Sequence, residues 1–203
     1  MTPWFSNPSQ PQLVLPAAPS DSPFQVRVAS TSDLTQITDI LAKSFHSPQG
    51  FWGWAYPLLR LGIYEDLHNR LQTPSPNQLC LVAVDRTPGQ GQNITGTVEI
   101  GLRSTDPWSG VKRFPYLSNL AVHPNYRRRG VAKSLLLSCE QICQDWGFQD
   151  LYLHVLEHNY QARQLYLNLG YKIFQVESPW STFLFQRPRQ MFLHKYLKVE
   201  PPV

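Results

Sequence analysis

The stretch Leu120-Ala-Val-His-Pro-Asn-Tyr-Arg-Arg-Arg-Gly-Val-Ala-Lys133 constrains this chain more than any other. An apolar run of strand type enters a turn, and the turn opens directly into a helix that starts on Gly130, Val131 and Ala132. Small residues at that point let another group come close to the backbone. The first N–H groups of a helix have no partner within it and lie at the positive end of its dipole, so a turn of this build suits an anion such as a pyrophosphate. Arg127, Arg128, Arg129 and Lys133 add charge that opposes the dipole, and a bound anion relieves the conflict. The plainer alternative is a solvated basic turn.

The flanking chain alternates strand and helix signals. Phe24, Val26 and Val28 alternate with polar residues, and Thr31-Ser-Asp-Leu then starts a helix with Leu34, Ile37, Ile40 and Leu41 on one stripe. After the link 46–57, rich in aromatics, Leu59, Ile63, Leu67 and Leu71 repeat every fourth residue and predict a helix ending at Gln72. Leu79 to Asp85, Asn93 to Leu102 and Tyr116 to Val122 read as strands, the first two joined by a Thr87-Pro-Gly-Gln-Gly hairpin. A helix (Val131 to Trp146), a strand (Leu151 to Leu156), a helix (Asn159 to Leu169) and two strands (Tyr171 to Val176, Met191 to Leu197) follow, the order of an α/β domain. The domain spans 24–198. Before it, residues 1–23 hold six prolines among Ser, Gln and Asn and read as a disordered tail; 199–203 read as a short C-terminal tail.

Composition narrows the classes. With 42% hydrophobic residues the chain has material for a core, and a net charge of +4 fits an anionic ligand but is too small to indicate nucleic acid. Cys80, Cys139 and Cys143 form no disulfide framework and no metal spacing, so packing thiols and a reducing compartment are expected. No apolar run reaches the ~20 residues that span a bilayer, and no export signal is legible, so the expected location is cytoplasmic.

Arg127-x-x-Gly130-x-Ala132 resembles the Gln/Arg-x-x-Gly-x-Gly/Ala signature of the GCN5-related N-acetyltransferases, with the apolar strand and Val-x-Pro placed before it as in that family. A second signature, Leu153-x-Val155-x-x-x-Asn159-x-x-Ala162-x-x-Leu165-Tyr166-x-x-Leu169-Gly170-Tyr171, is similar to the same family's strand, helix and Leu-Gly-Phe/Tyr turn. The resemblance spans Phe24 to Leu197 and is tight from Tyr116 to Tyr171. The run Tyr116-Leu-Ser-Asn-Leu-Ala-Val further resembles cyanobacterial and chloroplast members, some of which acetylate protein α-amines and lysines.

The resemblance implies an α/β fold with a mixed central sheet of about seven strands and about four helices, whose splayed parallel strands bind acetyl-CoA as co-substrate without a metal. It implies that the backbone of Leu120, Ala121 and Val122 meets the pantetheine arm. Arg128, Arg129, Gly130, Val131, Ala132 and Lys133 would enclose the pyrophosphate, Asn159, Tyr160 and Gln161 would touch the arm from the other side, and Tyr166 would both contact the cofactor and be the proton donor. The implied acceptor is a protein or peptide amine, and the implied assembly a monomer or homodimer.

The chemistry tests that reading. A thiol has a pKa of about 8.5 and a tyrosine about 10, so full proton transfer to a departing thiolate is uphill by roughly 2 kcal/mol and a hydrogen bond is the sounder role for Tyr166. The alternative for Tyr166 is a helix tyrosine packed between leucines. Where some family members place a carboxylate base, Phe114, Pro115 and Tyr116 stand; Glu99, His154, Glu157 and His158 are the titratable groups nearby, each with a structural or exposed role as its alternative. A protein α-amine (pKa about 7.7–8.0) is far more often neutral near pH 7.5 than lysine (about 10.4), a gap of about 3.4 kcal/mol. Without a strong base, α-amines are therefore expected to be at least as good acceptors. Phe51, Trp52, Trp54 and Tyr56, with the loop of Asp106, Trp108 and Lys112, could wall an acceptor site or serve as core. A small-amine acetyltransferase and a non-catalytic acyl-CoA-binding module remain as alternatives.

Overall fold

The computed structural model describes residues 23–45, 56–73, 75, 77–86, 93–104, 113–177 and 189–198. The Pro-rich tail up to residue 22, the hairpin turn, the aromatic link 46–55, the loop 105–112 and residues 199–203 lie outside them. The strands are β1 (Phe24–Val28), β2 (Gln78–Asp85), β3 (Ile94–Ser104), β4 (Arg113–Val122), β5 (Asp150–Leu156), β6 (Lys172–Glu177) and β7 (Gln190–Tyr196). The helices are α1 (Leu34–Phe45), α2 (Tyr56–Gln72), α3 (Val131–Asp145) and α4 (Tyr160–Asn168).

One seven-stranded sheet runs β1-β2-β3-β4-β5-β7-β6. Every neighbouring pair is antiparallel except β4 and β5, which are parallel. The alternating side chains of the strands feed two cores. On one face Leu81, Val98, Ile100, Leu117, Leu151, Leu153 and Val155 pack with Leu135, Leu136, Cys139, Ile142 and Cys143 of α3 and Tyr166 of α4. On the other, Val82, Val84, Ile94 and Ala121 meet Leu34, Ile37, Ile40 and Leu41 of α1 and Leu67 of α2. Cys139 and Cys143 are packing thiols as expected, and burial pushes that of Cys143 up to about 12.

Two irregularities shape the middle of the sheet. Glu99 pairs with Ser118 and Thr97 with Ala121, so Asn119 and Leu120 together oppose Val98: a β-bulge that bends β4. Asn119 takes φ 53°, a conformation an Asn tolerates better than most residues, and its amide donates to Glu99 Oε1 at 3.0 Å. The parallel pairing of β4 with β5 then lasts for only two residue pairs, Tyr116 with Tyr152 and Leu117 with Leu153. Beyond them the strands part.

Glu99 is only 3% exposed, and its Oε2 accepts from Arg70 Nη1 of α2 at 2.7 Å. It fastens the bulge to α2, with each carboxylate oxygen taking one hydrogen bond. Of the two roles the sequence left to Glu99, these bonds favour the structural one.

Candidate active site

Where β4 and β5 part, a cleft of about 860 Å³ opens through the sheet. Its walls include Leu120, Ala121 and Val122 of β4, Val155 and Leu156 of β5, the turn to α3, and Asn159, Gln161 and Tyr166. The edges of β4 and β5 that face each other beyond Leu117 and Leu153 carry no ladder between them. A backbone edge of this kind calls for a partner, and an extended chain with amide groups supplies one.

At one end the cleft meets the start of α3. Gly130, at φ 88°, is the residue before the helix and has no side chain with which to cap it. The first N–H groups of α3 therefore point out without a side-chain acceptor, while Gly130, Val131, Ala132 and Lys133 all line the cleft. Arg128 stands there too, in the left-handed region at φ 62° that a non-glycine residue adopts at a cost. Neither Arg128 nor Lys133 forms an ion pair with the described residues, so the turn presents free positive charge beside a helix N-terminus. Arg129 does not line the cleft: its guanidinium lies 5.5 Å from the Tyr126 ring centroid. Tyr160 is likewise turned out, 73% exposed, with the Arg163 guanidinium 5.6 Å from its ring centroid. The remaining eleven residues expected to hold the cofactor, Leu120, Ala121, Val122, Arg128, Gly130, Val131, Ala132, Lys133, Asn159, Gln161 and Tyr166, are gathered in one place.

The second signature has a mechanical meaning. Asn159 caps α4, its Oδ1 accepting from the Ala162 N–H at 3.2 Å. The other end closes in a Schellman turn: Tyr171 N–H donates to the Tyr166 carbonyl at 3.1 Å and Gly170 N–H to that of Leu167 at 3.0 Å, with Gly170 at φ 88°. The turn sets Tyr171 edge-on against Tyr166, ring centroids 5.7 Å apart. The Leu-Gly-Tyr turn is thus what locks the Tyr166 ring in place. Tyr166 is 7% exposed, lines the cleft, and makes no side-chain hydrogen bond with the described residues. Burial, with smaller contributions from Tyr116 and Cys139, pushes its phenol well above the ordinary tyrosine value. It stays protonated at neutral pH and can give a hydrogen bond to developing negative charge.

A pair that the sequence left unassigned lies across the sheet from Tyr166. Leu153 and Val155 point into the α3 core, so His154 between them faces the other way, as does Tyr116. The Tyr116 hydroxyl and His154 Nδ1 are 2.8 Å apart, and the imidazole stacks 4.5 Å from the Phe192 ring. His154 and Tyr166 both line the cleft, from opposite faces. Glu157 lines no part of it, and exposed His158 sits at its rim. The aromatic residues of the link 46–55 and the loop of Asp106, Trp108 and Lys112 lie outside the described residues.

The sequence pattern of the Acetyltransferase (GNAT) family matches residues 35–171. The chain belongs to that family. Across 172 residues it is 26% identical to GCN5-related N-acetyltransferase 10, chloroplastic, of Arabidopsis thaliana, a match covering 80% of this chain and 67% of that protein. Over 115 residues it is 32% identical to the thialysine N-epsilon-acetyltransferase of Bos taurus, covering 55% of this chain and 66% of the bovine protein. About a third of each relative thus lies outside the match. The fold is similar to the crystal structure of Arabidopsis thaliana NAA60 in complex with acetyl-CoA, with a TM-score of 0.65 at 20% identity over 85% of this chain and 98% of that one.

GNAT enzymes are acetyl-CoA-dependent N-acetyltransferases, and the architecture expected from the resemblance is present: a seven-stranded mixed sheet, four helices and parallel strands splayed apart. The residues also fit the donor. An unpaired strand edge suits the pantetheine amides, and an uncapped helix start flanked by two free cations suits the pyrophosphate. Among the described residues no helix is long and apolar enough to cross a membrane.

Proposed function

We propose that this chain transfers the acetyl group of acetyl-CoA directly to amino groups of proteins, with no acetylated enzyme formed on the way. Acetyl-CoA supplies a thioester carbonyl for the amine to attack; a C–N bond forms as the C–S bond breaks. Leu120, Ala121 and Val122 on one side and Asn159 and Gln161 on the other hold the arm. Arg128, Lys133 and the first amides of α3 hold the pyrophosphate, with Arg129 and Tyr160 at the margin. Tyr166 donates a hydrogen bond to the leaving sulfur. His154, which lines the cleft, receives the proton the amine gives up, and the Tyr116 hydroxyl, 2.8 Å from Nδ1, holds the imidazole in place.

One observation carries this reading: Tyr166 and the imidazole of His154, itself held by Tyr116, line one cleft from opposite faces of the sheet, at the point where β4 and β5 separate. A donor at one end and a proton acceptor at the other are what amine acetylation needs. The protein acceptor rests on the likeness of Tyr116-Leu-Ser-Asn-Leu-Ala-Val to chloroplast members. The 32% identity to a thialysine acetyltransferase favours a small amine as the second reading.

The test is quantitative mass spectrometry of a bacterial proteome incubated with isotope-labelled acetyl-CoA and either the wild type or Tyr166→Phe. Labelled N-termini exceeding labelled lysines, both falling in the variant, are expected. Matched peptides give the finer result: a lysine kcat/KM more than about tenfold above that of an N-terminal amine would overturn the α-amine preference, which rests on the greater neutral fraction of α-amines. Label on small amines alone would transfer the assignment to the second reading.

A further inference from the structure

Beside the Tyr116–His154 pair stands a cation that no described residue neutralises. Tyr116 faces the side of the sheet opposite α3, and its cross-strand partner is Gly101, which has no side chain to cover the ring. Arg103, two residues along β3, fills that space: its guanidinium lies 3.5 Å from the Tyr116 ring centroid. The side chain is exposed, and Arg103 has no ion pair with the described residues. The carboxylates that β3 and β5 place on the same face are already engaged, Glu99 by Arg70 at 2.7 Å and Asp150 by His194 at 2.6 Å. Among the described residues the Tyr116–His154 pair therefore has beside it a guanidinium that no carboxylate neutralises.

A guanidinium in that condition matches a carboxylate in a planar, two-bond geometry. It stands one tyrosine ring away from the histidine that receives the amine's proton, which is the span between an amine and a carboxylate a few bonds along the same molecule. The same charge repels a polycationic acceptor. We propose that Arg103 determines acceptor specificity by binding a carboxylate next to the reacting amine, so that the enzyme prefers acidic acceptors over neutral and basic ones. The proposal rests on the amine-acetyltransferase reading above. The carboxylate can come from an acidic residue near a peptide N-terminus or from a free amino acid, and the chemistry is shared.

Steady-state kinetics with acetyl-CoA separates these cases. Peptides beginning Ser-Glu, Ser-Gln and Ser-Lys form one arm; free glutamate and its α-amide form the other. The wild type is expected to favour Ser-Glu over Ser-Lys by about tenfold or more in kcat/KM, through KM, with the ratio shrinking as salt rises. In Arg103→Gln the ratio falls to near one, and Arg103→Lys restores part of it. A preference confined to free glutamate over its α-amide, lost in Arg103→Gln, supports the same role with the amino acid as source. An acidic-to-basic ratio near one in the wild type, or a ratio that survives in Arg103→Gln, overturns the proposal while leaving amine acetylation intact. A wild type that binds acetyl-CoA and acetylates none of these amines overturns both.

Discussion

Tyr166 shows how much one side chain owes to its surroundings. Its ring packs edge-on against Tyr171, it lines the cleft, and burial holds the phenol protonated. Tyr166→Phe keeps the ring contact and removes the hydroxyl alone. It should lower kcat by about 10²- to 10⁴-fold while acetyl-CoA still raises the melting temperature as in the wild type. His154→Gln should also lower kcat with acetyl-CoA binding kept, because it removes the imidazole proposed to take the amine's proton. Loss of the acetyl-CoA shift in either variant would make the residue part of the binding wall instead. Tyr166 was legible because it sits at a fixed offset from Asn159 and Gly170. The Tyr116–His154 pair was not, because 38 residues separate the partners and only the parallel register at Tyr116 and Tyr152 brings them together. The signal that could have found it is the β5 pattern, in which His154 alternates with the apolar Leu153 and Val155.

At the scale of the element, the turn from β4 to α3 separates strain from charge. Arg128 sits at φ 62°, where a side chain costs roughly 1–2 kcal/mol that glycine does not pay. Arg128→Gly removes that strain and adds back up to about 1 kcal/mol of unfolded-state entropy. The unliganded protein should therefore keep its melting temperature to within about 4 °C, the equivalent of roughly 1 kcal/mol in a chain of this size. The lost guanidinium should still weaken acetyl-CoA binding by about 10- to 100-fold, the worth of a hydrogen bond to a charged group. Calorimetric titration with a thermal melt reads both quantities; a melting temperature that falls in step with affinity would make Arg128 a structural brace. The sequence announced this element through Gly130 and the arginine run, since helix starts are local. It did not announce the bulge at Asn119, because a bulge is a mismatch between two strands and no single strand encodes it.

The whole molecule is a sheet held open along one seam. Element order was legible from periodicity, and the seven strands and four helices stand close to where alternation and apolar stripes put them. That β7 lies between β5 and β6 was not legible, since a list of strands does not say which edges pair. The seam itself depends on how closely α3 approaches β3, and that approach depends on Gly96. A Cβ there would stand 2.8 Å from Val131 Cγ1 and 2.9 Å from the Ala121 carbonyl oxygen. Val131 is a buried first residue of α3 and the carbonyl is backbone, so neither can swing away; both belong to the walls of the cleft. Gly96→Ala should therefore destabilise the fold by about 1–3 kcal/mol, as overpacking does, and weaken acetyl-CoA binding although residue 96 lies outside the cleft lining. Gly62→Ala is the control: its Cβ meets nothing within 4 Å on an exposed stretch of α2, and alanine there should stabilise by up to about 1 kcal/mol. Chemical denaturation with acetyl-CoA titration decides the point. If Gly96→Ala loses stability but binds acetyl-CoA as tightly as the wild type, the cleft is set by β4 and β5 alone, and the packing of α3 against β3 supports the fold without shaping the site.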